Sequence, residues 1–266
     1  MDDVSNESGA DSRLDVTPGR KLAAGRDADV FELGHGKVLR RYRNGRSSER
    51  EAEIMRQAAA HGYPVPAVYH VRGVDMVMER VDGPTMLKDL GDRPWMLWRH
   101  ARTLARLHRQ LRTIPPLDGM QAFPPSAGPS DGARSSAPAP RGSSDALLHL
   151  DLHPDNVILS LRGPVVIDWS SAKRGQVSAA VALTWVIMAT SDVADTGLRR
   201  ALVSLIRRLL VSEFLRHAGK AAALEQLPAV AQFRLDDRNV RPAEQDAIRA
   251  LLRQHGLDSP ASGEGM

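Results

Sequence analysis

His149-Leu150-Asp151-Leu152-His153-Pro154-Asp155-Asn156, followed by Val165-Val166-Ile167-Asp168-Trp169, is the stretch from which the rest of the chain is read. Asp151 lies in a His- and Pro-rich turn between two apolar runs, Leu147-Leu148 and Val157-Ile158-Leu159. Asn156 stands five residues after Asp151, and Asp168 twelve residues after Asn156. That interval has room for a strand, a turn at Leu161-Arg162-Gly163-Pro164 and a returning strand. Two carboxylates and an amide oxygen, brought together by a hairpin, suit phosphoryl transfer: Asp151 orients a hydroxyl, while Asn156 and Asp168 hold magnesium.

Composition narrows the alternatives. The chain has 266 residues, 42% of them hydrophobic, with no cysteine, which excludes disulfides and thiolate metal sites. Lys plus Arg number 36 against 32 Asp plus Glu, a net charge of only +4. Nucleic acid is therefore not an expected partner. No apolar run approaches a membrane span and no secretory signal is visible, so no membrane partner and a cytoplasmic location are expected.

Hydrophobic patterning divides the chain. Residues 1–15 are polar and acidic and read as a disordered tail. Ala28–Leu33 and Lys37–Tyr42, split by Gly34-His35-Gly36, read as a hairpin. A helix is expected from Ser48 to His61, with Ser48 and Glu51 at the spacing of a capping box. Val74–Val81 reads as a further strand, ending in a joint near Glu79-Arg80-Val81-Asp82-Gly83. Helices are expected over 95–111, 179–189, 198–217 and 245–254 from their apolar periodicity. The segment from about 118 to 144 is rich in Pro, Ser and Gly and is expected to be a flexible insertion, either passive or lying over a site. Residues 258–266 read as a tail.

The nucleotide end is sparser. Gly25-Arg26-Asp27-Ala28 offers one glycine, and no Walker-type loop occurs anywhere. Backbone amides near Asp27 are candidates for phosphate contact. Arg40, at the end of an apolar strand, can aim a guanidinium at phosphates with Glu51 holding it in a bidentate pair. Lys37 is the alternative cation, but its odd offset from Arg40 puts it on the other face of the strand. Glu79 to Val81 lies where backbone groups of a joint would meet an adenine edge. His149 and His153 also admit a zinc-hydrolase reading.

His149, Asp151, Asn156 and Ile167-Asp168-Trp169 match, residue by residue, the signature loop of the aminoglycoside phosphotransferase and choline kinase-like family, which the chain resembles. Glu49-Arg50-Glu51 and Pro64-Val65-Pro66 resemble that family's helix and the turn after it. The resemblance implies an α+β, two-lobed protein-kinase-like fold. Its small β-rich nucleotide-binding lobe with one main helix would span 16–82, and its larger helical catalytic and substrate lobe 83–257. It also implies ATP, Mg2+ and a small hydroxylated acceptor, with the protein a monomer or homodimer. Two departures stand out. Arg40 occupies the place of the family's strand lysine, and Ala180 that of an aspartate at a helix start. A non-catalytic nucleotide-binding protein is the alternative they leave open.

Overall fold

The computed structural model describes residues 16–25, 27–125, 145–190, 197–237 and 240–257. The two expected tails and residues 126–144 of the expected insertion lie outside them. The strands in chain order are β1 (Lys21–Ala24), β2 (Ala28–Gly34), β3 (Lys37–Tyr42), β4 (Val68–Arg72), β5 (Asp75–Glu79), β6 (Ala122–Phe123), β7 (Ala146–Leu148), β8 (Val157–Ser160), β9 (Gly163–Val166) and β10 (Lys173–Gly175). The helices are α1 (Glu49–Ala60), α2 (Met86–Asp92), α3 (Leu97–Leu111), α4 (Val177–Thr190), α5 (Gly197–Ala218), α6 (Lys220–Leu235) and α7 (Pro242–Gln254). They fall into two compact units: residues up to Gly83 together with Ile158–Ser170, and Pro84–Val157 together with the chain from Ser171 onward.

The first unit is built on an antiparallel sheet of order β1-β2-β3-β5-β4. The hairpin expected at residues 28–42 forms its centre. β1 and β4 are edge strands with mostly exposed or half-buried side chains. They lack the alternation that a one-sided core imprints on a strand. The register of β3 on β5 sets Arg41 opposite Asp75. The guanidinium clasps that buried carboxylate at 2.6 and 2.7 Å. This charge-assisted fork holds the pairing in place. Leu39, Met55, Met76 and Trp169 are fully buried in this unit.

Ile158–Ser170 belongs to the first unit. The reason is local bonding. Val166 donates its N–H to the Pro64 carbonyl at 2.8 Å, and the Trp169 ring meets Tyr63 edge to face at 5.4 Å. Gly83 marks where the chain passes β8. A Cβ there would stand 2.2 Å from the Leu159 carbonyl oxygen, so only glycine fits.

In the second unit α4 is apolar on all sides and almost wholly buried, the pattern of a central helix. It packs against α5, α6 and α7, and α3 lies along α5. α6 has no counterpart among the helices expected from periodicity, because Pro228 stands in its interior. Met120 and Phe123 are buried, Phe123 meets Phe233 edge to face, and β6 pairs in parallel with β10.

Candidate active site

The guanidinium of Arg40 is the hub of the first unit's polar core. Its Nη1 lies 3.1 Å from Glu51 Oε1 and its Nη2 lies 2.7 Å from Asp168 Oδ1. The bidentate pair with Glu51 expected from sequence does not form. The fork is shared between two carboxylates instead. Burial opposes the Arg40 charge, and the two carboxylates outweigh it, holding its pKa above the ordinary arginine value.

Glu51 reaches this position because the capping box does not form. Ser48 has a helical backbone and no side-chain cap bond. Its hydroxyl donates to the carbonyls of Gly73 and Asp75 at 2.9 and 3.0 Å. The Glu51 carboxylate is buried and accepts from Tyr42 Oη and from the Trp169 N–H at 3.0 Å. A capping role would have needed it at the exposed helix end.

Asp168 adopts a left-handed backbone, φ 62°, a conformation that costs a non-glycine residue about 1–3 kcal/mol and clusters at functional sites. Its neighbours hold it there. Ser170 Oγ donates to Asp168 Oδ1 at 2.9 Å, Arg46 donates to the Ser170 carbonyl at 2.8 Å, and Trp169 Nε1 donates to the Val166 carbonyl at 3.2 Å. Ala180 is buried in α4. The loop around Asp168 is thus braced within its own unit by Ser170, Arg46 and Glu51, without an aspartate at position 180.

The loop that carries Asp151 belongs to the second unit. Leu150, buried, has φ 61°, a second left-handed residue in the motif. Asn156 Nδ2 donates to the Asp151 carboxylate at 2.9 Å and to the Asp151 carbonyl at 2.8 Å. His153 Nε2 lies 3.4 Å from Asp151 Oδ1. Asp151 keeps 37% of its side chain exposed, so the carboxylate is fixed yet open. With its amide N–H groups turned to Asp151, Asn156 directs its carbonyl oxygen, a hard donor, the other way.

This loop is tied down at both ends. Thr85 Oγ1 donates to Asp155 at 2.9 Å and accepts the Lys88 N–H, capping α2. Behind it, Thr184 Oγ1 donates to the Leu152 carbonyl at 2.9 Å and lies 3.0 Å from His108 Nε2. His108 is fully buried, and burial holds its pKa down to about 4.

The family model described as "Phosphotransferase enzyme family" matches residues 18–210. The chain belongs to this family. No curated protein matches the phosphotransferase by sequence. Among solved structures it is similar to a thermostable mutant of aminoglycoside phosphotransferase APH(4)-Ia in ternary complex with AMP-PNP and hygromycin B, at 16% identity and TM-score 0.60, covering 88% of this chain and 92% of that one. It is also similar to ADP-bound aminoglycoside phosphotransferase APH(2'')-Ib, at 15% identity and TM-score 0.55 over 90% and 93%. A choline/ethanolamine kinase family protein from Mesorhizobium loti matches at 16% identity and TM-score 0.53 over 91% and 90%. These likenesses establish the fold expected from the sequence, α+β and kinase-like.

The remaining candidates in the phosphotransferase fall as follows. Asp27 sits in the β1–β2 turn, where its carbonyl accepts the Arg43 N–H at 2.9 Å. Glu79 ends β5. Its carboxylate accepts from Arg162 at 2.7 Å and from the Ala67 N–H at 3.1 Å, so its side chain ties the sheet to the β8–β9 turn. Val81 follows β5 and is half-buried. His149 is wholly buried and its Nδ1 accepts the Asp151 N–H at 3.2 Å. It shapes the loop, and among the described residues it forms no metal cluster with His153.

Tyr42, Ser170, Thr85, Thr184 and His108 were not foreseen as parts of these assemblies. Tyr42 had a legible signal: two residues from Arg40 on one strand, it shares that residue's face.

Proposed function

We propose that this phosphotransferase moves the γ-phosphoryl group of ATP to a hydroxyl of a small molecule. Asp151 carries the reading. Its carboxylate is oriented by Asn156 and His153 and remains accessible. It orients the acceptor hydroxyl and takes its proton as the oxygen attacks the γ-phosphorus and the bond to the bridging oxygen breaks, releasing ADP. Relatives solved with ADP, or with AMP-PNP and hygromycin B, support a nucleotide donor and a small acceptor.

On this reading Arg40 steers the nucleotide phosphates, Glu51 positions Arg40, and the turn at Asp27 offers backbone N–H groups. Backbone groups from Glu79 to Val81 meet the adenine. The Asp168 carboxylate is a hard oxygen donor of the kind that Mg2+ takes, and so, in its own unit, is the Asn156 amide oxygen. When bound, that ion supplies positive charge against the phosphate oxygens.

One observation favours a second reading, a nucleotide binder without turnover: the charge of Asp168 is engaged by Arg40 at 2.7 Å. The two part on a screen of ADP release with magnesium across aminoglycosides, choline-like amines, sugars and amino acids. Acceptor-dependent release supports the transferase. Saturable ATP binding with no release for any acceptor supports the binder.

A further inference from the structure

Asp151, on which the proposed function turns, sits in a loop bonded mostly to itself. Its N–H donates to His149 Nδ1 at 3.2 Å. The His153 N–H donates to the Asp151 carbonyl and the Asn156 N–H to the His153 carbonyl, both at 3.0 Å. The Asn156 side-chain amide donates to Asp151 as well. Such bonds give a turn its shape but not its place, which a bond to a rigid element supplies. Among the described residues, one hydrogen bond ties residues 151–153 to anything outside 149–156. It runs from Thr184 Oγ1 to the Leu152 carbonyl at 2.9 Å.

The donor suits that task. Thr184 is 2% exposed and stands on α4, the buried central helix. A threonine inside a helix often turns its hydroxyl back to the carbonyl four residues earlier. Thr190 of the same helix does so, donating to Val186 at 2.9 Å. Thr184 sends its proton to the loop instead. His108 of α3 stands 3.0 Å behind that oxygen and meets Phe214 of α5 edge to face, centroids 5.1 Å apart. The hydroxyl is thus hemmed in by three helices. Ala180, one turn before Thr184 on the same face of α4, is buried and has no polar side chain to offer the loop. The left-handed backbone of Leu150, φ 61°, adds a need for such a hold, because a strained residue persists only where its surroundings fix it.

We infer that Thr184 is a positioning residue, whose hydroxyl holds the Asp151 loop at the place from which the carboxylate meets an acceptor. The inference rests on the role proposed for Asp151 above. Its test uses the full chain and two variants. Thr184→Val keeps the side-chain shape and loses the hydroxyl, and Thr184→Ser keeps the hydroxyl. Hydrogen exchange at the Asp151, His153 and Asn156 amides is expected to be about ten-fold faster in Thr184→Val. It stays near the parent's in Thr184→Ser, and the amides of α5 are unchanged in both. In transfer of labelled γ-phosphate, kcat is expected to fall about 10²-fold in Thr184→Val with KM for ATP unchanged, and Thr184→Ser restores most of it. The exchange measurement needs no turnover. Absence of transfer by the parent therefore overturns the proposed function, and exchange alone then decides whether Thr184 holds the loop. The inference is overturned by loop exchange or kcat at the parent's level in Thr184→Val. It is equally overturned by exchange that rises as much in α5 as in the loop, or by Thr184→Ser as impaired as Thr184→Val.

Discussion

Arg40 Nη2 stands 2.7 Å from Asp168 Oδ1 while Nη1 of the same guanidinium stands 3.1 Å from Glu51 Oε1. One planar fork thus spans two carboxylates from distant parts of the sequence. A lysine ammonium has no such fork, so this geometry belongs to the arginine.

Removing the fork leaves Glu51 buried without its cation. Arg40→Ala is expected to destabilise the protein by about 3–5 kcal/mol, the usual cost of breaking a buried pair on one side. Arg40→Lys is expected to cost less, because one charge is kept. Urea unfolding of the three proteins measures both, and equal stability of Arg40→Ala and the parent would remove Arg40 from the core described above.

Tyr42 donates to Glu51, and the pairing is buried. Burial and the neighbouring Glu51 charge together keep the phenol protonated far above its ordinary range. Tyr42→Phe is expected to lose about 1.5–3 kcal/mol, the range for a hydrogen bond to a charged group. In Glu51→Gln, where the charge is already gone, the same substitution should cost less. A double-mutant cycle reads the coupling.

His108 sets a pH window. Its pKa is about 4 in the folded chain because burial disfavours the charge, against about 6.5 unfolded. Between those values the unfolded chain binds the extra proton and the folded chain does not. Stability is therefore full above pH 6.5 and falls as pH drops toward 4, by up to about 3 kcal/mol. Glu213, held down to about 2 by the Arg216 hydrogen bond, acts in a lower window, below its ordinary value. Denaturation midpoints from pH 7 to 4 should slope in the parent and flatten in His108→Gln.

The central hairpin of the sheet was legible because Gly34-His35-Gly36 punctuates two strongly patterned runs. The edge strands β1 and β4 were not, since little of them is buried. Ser48 and Glu51 carried a misleading signal. Their spacing is that of a cap, but the Gly73 and Asp75 carbonyls draw the serine hydroxyl away, and Arg40, Tyr42 and Trp169 draw the glutamate inward. Only tertiary structure supplies those competitors. Asn156 donates to Asp151 at 2.9 Å, a contact made between residues only five apart and not foreseen in the sequence reading, which gave Asn156 to magnesium. The brace through His108, Thr184 and Leu152 joins residues too far apart in sequence to form any motif.

The most direct test is transfer of labelled γ-phosphate from ATP to a small hydroxylated acceptor, with magnesium, by the parent chain and by Asp151→Asn. The expected result is acceptor-dependent transfer in the parent, lowered about 10²–10⁴-fold in the variant while ATP binding is retained. Transfer by Asp151→Asn at the parent's rate would contradict the account.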